Sequence, residues 1–446
     1  MVGGLVQCRE MDDYRTHADD VESGSTMRQI PRGIWVLLAA NFVIALGYGL
    51  IAPALPNFAR SFDVSVAAAT VIVSAFAMMR LLFAPVSGKL VSLLGERRIY
   101  LTGLLIVAAS TLACAFAQNY WQLLIFRGLG GIGSTMFSVS ALALLIRLSP
   151  ADLRGRVSGF FSGGFLLGNI TGPLIGAALV SYGLRLPFVV YAVALLIASA
   201  VVATQLRGVG GRPVAGSGPV IDPIGFREAL RDRTYRAILA SSFTQGFASQ
   251  GVRVALVPLY IVYGLDESSA WSGVVLAIYA AGNVASIVVA GRLSDRYGRK
   301  PIMLPGLALM SGATLVLGYS GSLWVAGVLS FVAGTGSGLF APTHQAALAD
   351  LLAKRGQGGT ALAAFQMISD VGAVSGPILA GLMVDHAGGY GPAFLLTGAV
   401  PLVALALWSV ARETAPVRTG EAVDKPVITS VPPAADGDAT IEPPRR

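Results

Sequence analysis

Ionisable side chains inside long apolar runs are costly in hydrocarbon, and where a sequence keeps them they mark function. In this chain they are Arg80, Arg127, Arg253, His344 and Asp370. Asp370 is the carboxylate that lies deep in such a run. A carboxylate there can hold a cation, or take up and release a proton. Measured from the end of its run nearest the charged loops, Asp370 lies about ten residues in, roughly 15 Å at the helical rise. Arg80 lies about eight residues in, roughly 12 Å. Opposite charges at similar depth would form either a fixed structural ion pair or a gate that breaks. Arg253 ends a polar series, Ser242, Gln245, Ser249 and Arg253, whose spacing of three or four keeps one helical face and predicts a water-lining stripe. Asn41 and Tyr48 form a shorter counterpart. Arg127 follows the interfacial aromatics Tyr120 and Trp121 by a turn or two; it would meet either a solute or backbone. His344 reads first as a packed side chain and second as a proton relay.

The elements that must position these residues are membrane helices. The chain has 446 residues, 54% hydrophobic and 13% charged, with a mean hydropathy of +0.69. That charged share is about half of what soluble domains carry. Apolar runs of about twenty residues suit a bilayer, since about twenty helical residues span its hydrocarbon. Such runs fall near 34–56, 66–87, 99–117, 122–146, 157–181 and 186–206, and again near 237–263, 271–290, 302–320, 323–348, 360–384 and 392–411. Short strands of alternating polarity are absent, which excludes an outer-membrane barrel. The connections alternate in charge. Lys89, Arg97, Arg98, Arg147, Arg154, Arg156, Arg292, Arg296, Arg299, Lys300, Lys354 and Arg355 lie on one side, whereas the other holds only Arg60 and Arg185. Positive loops stay in the cytoplasm, which places both termini and the central loop there in a cell (inner) membrane. The net charge of +8 reads as this cytoplasmic face beside anionic lipid, not as a nucleic-acid surface.

The domain plan is a disordered cytoplasmic N-terminus over 1–30, a six-helix bundle over 31–206, a cytoplasmic linker over 207–235, a second bundle over 236–412 and a disordered tail over 413–446. The bundles echo each other. "GKLVSLLGERR" begins at Gly88 and "GRLSDRYGRKP" at Gly291, an offset of 203. Gly131 and Gly133 recur as Gly334 and Gly336 at the same offset, and "GPLIG" at Gly172 recurs as "GPILA" at Gly376, offset by 204. This is a duplicated unit, and such repeats place their site at the interface between them, near the midplane. Arg80 falls opposite Asn283, so its charge is not duplicated. Gly164, Gly168, Gly172 and Gly176 form a small-residue seam along the fifth span, where Pro173 permits a bend. "GLGGIGS" has the look of a dinucleotide loop but lies inside an apolar span with no strand before it. No phosphate-binding loop of the ATPase kind is present, and Cys8 and Cys114 offer neither a disulfide nor a metal site. No cofactor is expected.

These motifs together resemble the major facilitator superfamily, most closely its twelve-helix drug:proton antiporter branch, over roughly residues 30–412. Gly291, Asp295, Arg296, Gly298, Arg299 and Lys300 match the family signature between helices 8 and 9. Its twin between helices 2 and 3 keeps Gly88, Gly95, Arg97 and Arg98 but has Ser92 and Leu93 for the Asp and Arg. "RGLGGIGS" from Arg127 resembles the helix 4 motif, and "GFLLGNITGPLIGA" from Gly164 the antiporter motif of helix 5. The resemblance implies an all-α membrane protein of twelve transmembrane helices in two pseudo-symmetric six-helix bundles, no enzyme but a monomeric secondary transporter working by alternating access. It implies export of small amphipathic compounds in exchange for protons, with an uptake or exchange carrier as the alternative and a receptor-like scaffold as a weaker one. It implies that helices 2 and 11 are neighbours, so that Arg80 and Asp370 meet. It also implies that Asp295 latches onto the start of helix 5, where the helix dipole favours an anion, when the cytoplasmic side is shut.

Overall fold

The computed structural model describes residues 31–150, 153–206, 232–355 and 359–414. Helices account for nearly all of them. α1 is Arg32–Ile51, α2 Val66–Leu94, α3 Glu96–Ala115, α4 Tyr120–Leu148, α5 Arg154–Val180 and α6 Leu186–Gln205. In the second half, α7 spans residues 233–264, α8 is Ser269–Tyr297, α9 Lys300–Leu317, α10 Leu323–Arg355, α11 Gly359–His386 and α12 Tyr390–Val410. Eleven of these are continuous and apolar enough to cross a bilayer. The twelfth, α7, is interrupted by π-helical turns at Gln245–Val252 and Tyr260–Gly264. All twelve predicted spans are therefore helices, and the protein is a multi-pass membrane protein. The expectations for residues 1–30, most of the 207–235 linker and the tail beyond 414 fall outside the described residues.

Local chemistry sets the helix ends. The Ser65 hydroxyl accepts from the Ala68 N–H and the Asn119 carboxamide from the Gln122 N–H, starting α2 and α4. Gly95 and Gly298, at φ +84° and +100°, close α2 and α8 in a conformation other residues rarely adopt. After α1, Pro53 and Pro56 divert the chain into the short helix Leu55–Arg60. Leu82, Leu93, Trp324 and Val403 are exposed on helix surfaces, as lipid-facing residues must be.

The duplication is visible in the packing. The α-carbon of Gly131 lies against the Phe76 carbonyl, and that of Gly334 against the Tyr279 carbonyl, each 203 positions later. Gly103 meets Gly133 as Gly306 meets Gly336. Gly168 and Gly172 pack on α1, whereas Gly372 and Gly376 pack on α7. The halves touch through α2 with α11 and α5 with α8. These contacts concentrate at the face opposite the chain ends, here the distal face. There Gly381 packs on Ala67 and Thr70, and Gly273 on Pro173 and Ala177. The Ser74 hydroxyl donates to the Val374 carbonyl at 2.7 Å. Toward the face carrying residues 31 and 414, here the termini face, Gly88, Gly159, Gly163 and Gly291 have open space beside them. The structure is therefore closed at the distal face and open at the termini face.

Candidate functional site

Between the halves, α1, α2, α4, α7 and α11 surround a pocket with about 510 Å³ of empty space, part of it open to solvent. Its polar lining is Tyr48, Arg80, Arg127, Gln250 and Asp370; Val73, Phe76 and Val254 supply apolar wall. Arg80 and Asp370, on different halves, thus share one pocket, yet they form no ion pair in this state. The Arg127 guanidinium is buried, with its carbon 4.1 Å from the centre of the Phe76 ring. The Nε atoms of both Arg80 and Arg127 are buried without a hydrogen-bond partner. The site therefore combines two cations, one carboxylate and an aromatic wall, and no ion pair joins its charges. Such a pocket can bind an amphipathic solute and can also exchange a proton at Asp370.

The other expected lining residues lie elsewhere. Asn41 donates to the Phe161 carbonyl at 2.8 Å and ties α1 to α5. Ser242 is fully buried and donates to the Phe365 carbonyl. Ser249 is buried within 3.3 Å of the Tyr279 hydroxyl. Arg253 donates to the Ser249 carbonyl and stacks over Tyr279 at 4.1 Å, lining a separate cavity of about 440 Å³ inside the second half. The π turn is the physical reason. It puts more residues into each turn across Gln245–Val252, so a spacing of three or four no longer holds one face from there on. Gly246 permits this path by lying directly against the Ser369 carbonyl. The polar residue that α7 presents to the pocket is Gln250, beside Val254, and a pattern read at α-helical spacing passes over it. His344 lies away from the pocket, stacked on Phe340 at 4.7 Å, with Nδ1 donating to the Phe340 carbonyl. The seam of Gly164, Gly168, Gly172 and Gly176 faces α1 of its own half, whereas Pro173 contacts both Gly49 and, through its carbonyl, Gly273 of α8.

The signature turn is divided in its tasks. Asp295 is exposed and accepts from Arg299, one helical turn on; among the described residues no ion pair or hydrogen bond joins it to α5 in this state. Arg299 also donates to Asp350 at 2.9 Å and to the Ser294 hydroxyl. Burial disfavours the Arg299 charge, but hydrogen bonds and attraction from Asp350 and Asp295 outweigh it and raise the pKa further above its ordinary value. The Lys300 ammonium donates to the Ser409 and Ala411 carbonyls at the end of α12. Glu413 reciprocates by accepting from the Arg299 and Lys300 N–H groups that begin α9. Arg296 lies over Tyr297 at 5.3 Å. Asp350 and Glu413 were not singled out in the sequence. A signal existed for Asp350, which lies 203 positions after Arg147, the partner of Glu96.

Comparison with known proteins agrees with this geometry. Residues 37–274 and 238–436 match the Major Facilitator Superfamily. The chain is 27% identical over 385 residues to the class H tetracycline resistance protein of Pasteurella multocida, covering 83% of this chain and 93% of that one. It is 26% identical over 383 residues to the multidrug resistance protein MdtG of Enterobacter lignolyticus, covering 83% and 90%. Among solved structures, it superposes on an inward-facing, unoccupied bacterial homolog of the human lysosomal transporter Spinster with a TM-score of 0.68 at 17% identity, covering 85% and 96%. A D-xylose–proton symporter gives a TM-score of 0.68 at 17% identity, covering 85% and 98%.

Proposed function

The chain belongs to the major facilitator superfamily of secondary transporters, and from that premise we propose that it exports small amphipathic compounds in exchange for protons. The observation that carries the reading is the position of Asp370. It is a buried carboxylate at the boundary between the halves, in the pocket a solute would occupy, and held apart from Arg80 while the termini face is open. Protonation cancels the attraction of Asp370 for Arg80. It therefore favours the state in which the two are apart, which is the differential affinity that coupling requires. A proton entering the distal-open state drives the carrier toward the termini-open one. Solute entering the pocket there displaces the proton and returns the carrier.

In this reading the termini face is cytoplasmic, because Arg97, Arg147, Arg292, Arg296, Arg299 and Lys300 gather on it. The transporter is a monomer with a site near the midplane. The tetracycline and multidrug resistance proteins among its relatives support export and amphipathic substrates. A second reading, a carrier for small organic anions, is favoured by the buried Nε atoms of Arg80 and Arg127, which have no hydrogen-bond partner. Proteoliposomes with an imposed pH gradient test both. Fluorescent amphipathic dyes of cationic, neutral and anionic charge are offered one at a time. Accumulation of cationic or neutral dyes that an uncoupler collapses supports proton-driven export. Transport restricted to anions favours the second reading, and gradient-independent movement of every dye refutes the first.

A further inference from the structure

At the distal face one carboxylate crosses between the halves. Asp385, at the end of α11, accepts from the Val66 N–H at 3.1 Å and the Ala67 N–H at 2.9 Å, the first two donors of α2. The first N–H groups of a helix have no partner within it, and the helix dipole favours an anion at that end. Ser65 accepts from the third donor, Ala68, and the fourth, Ala69, bonds the Ser65 carbonyl. Asp385 thus completes the cap of a helix that belongs to the other half. Immediately beneath it, Gly381 packs against Ala67 and Thr70. The two helices cannot part at the distal face without breaking both bonds and returning those donors to water.

The pseudo-symmetric junction, α5 with α8, lacks this device. The position equivalent to Asp385 at the 204 offset is Ser181, whose hydroxyl donates to the Ala177 carbonyl of its own helix. The termini face shows the same asymmetry. Asp295 stands in the second half, and its counterpart Ser92 donates to the Lys89 carbonyl of its own helix. At both faces the second half therefore holds a carboxylate where the first half holds a serine.

We propose that Asp385 is a gating residue of the transport cycle: its bonds to the start of α2 hold the distal face shut while the termini face is open. Opening the distal face costs the Asp385 bonds, and the balance of this clasp against any clasp made by Asp295 sets the resting population.

The test reads conformation and needs no substrate, so it stands or falls separately from the proposed export. In a background with Cys8→Ser and Cys114→Ala, a cysteine replaces Ala52 on the pocket wall, and an impermeant thiol reagent is applied from the distal side. Asp385→Asn raises the labelling rate about two- to five-fold, the factor that a helix-terminus interaction of this class gives. Val66→Pro is the second variant. Proline is favoured at the first position of a helix, and Ser65 at ψ 166° already has the conformation a following proline needs. It deletes one donor to Asp385 while keeping the helix, and it also raises the rate. A second reporter, Gly163→Cys labelled from the termini face, separates gating from loosening, because its rate falls or holds when the clasp is weakened. An unchanged Ala52→Cys rate in Val66→Pro, or a rise at both reporters, overturns the proposal. If Asp385→Asn fails to insert, Val66→Pro decides alone.

Discussion

Arg299 and Asp350 meet at 2.9 Å where α9 begins and α10 ends, and 203 positions earlier Glu96 and Arg147 meet at 2.9 Å with their charges exchanged. The duplicated unit has kept the strap and reversed its polarity. What is preserved is therefore the ionic tie between consecutive helices at the termini face, not a particular charge on either.

This predicts that the strap of the second half tolerates reversal. Asp350→Asn leaves a largely buried Arg299 with only the exposed Asp295, and lowers stability by about 1–3 kcal/mol, less than a fully buried pair because part of it meets water. The exchange Arg299→Asp with Asp350→Arg recovers part of that loss. Recovery stays incomplete because Arg299 also holds Ser294 and Asp295. Thermal unfolding of the detergent-solubilised protein checks both. An exchange variant no more stable than Asp350→Asn refutes the strap.

The glycine seams predict paired effects. A side chain at Gly172 would drive into the Leu46 carbonyl of α1, and one at Gly376 would approach the Phe247 carbonyl of α7 at 2.7 Å. Gly172→Leu and Gly376→Leu should each cost at least about 1–3 kcal/mol through overpacking, with transport reduced and insertion retained. Gly163→Leu, beside open space, should be mild in stability. Equal stability of all variants in thermal unfolding would remove the seams from consideration.

The signature turn predicts a population shift. In the termini-open state Asp295 is exposed and bonded to Arg299, leaving it available to the start of α5 when that face closes. Asp295→Asn should weaken the closed state by about 0.3–1 kcal/mol, a helix-terminus interaction of ordinary size. Labelling of Gly163→Cys from the termini face should rise. A fall would assign Asp295 to the open state instead.

The sequence made the helices legible because a bilayer imposes a length and a polarity that no other setting imposes. It made the duplication legible because glycines at the crossings, such as Gly131 and Gly334, cannot be replaced without moving a helix. The site was only partly legible. Arg80, Arg127, Asp370 and Tyr48 line one pocket, since charge in an apolar run has few other places to go. Ser249 and Arg253 leave the expected face because a π turn in α7 changes the number of residues per turn, whereas Ser242, ahead of that turn, is taken up by the Phe365 carbonyl. Asp385 was invisible because its partner is the backbone of α2, and backbone donors leave no mark in a sequence.

Asp370 and Arg80 carry the last prediction. With the termini face open they share a pocket without an ion pair. Closing that face brings the termini-side parts of α2 and α11 together, and the two charges then pair. Protonating Asp370 breaks that pair from within, so the proton and the open state favour one another. Asp370→Asn mimics the protonated form permanently. It should abolish transport driven by a pH gradient and leave exchange of labelled for unlabelled solute in place, since exchange needs no return of the empty carrier. In the closed state this variant also leaves Arg80 without its counter-charge, at a cost approaching ~3–5 kcal/mol if burial there is complete. Arg80→Gln combined with Asp370→Asn removes both charges, and should restore expression above either single variant without restoring gradient-driven transport. Parallel gradient-driven and exchange assays on the three variants decide the matter. Normal dependence on the gradient in Asp370→Asn would exclude Asp370 as the coupling group.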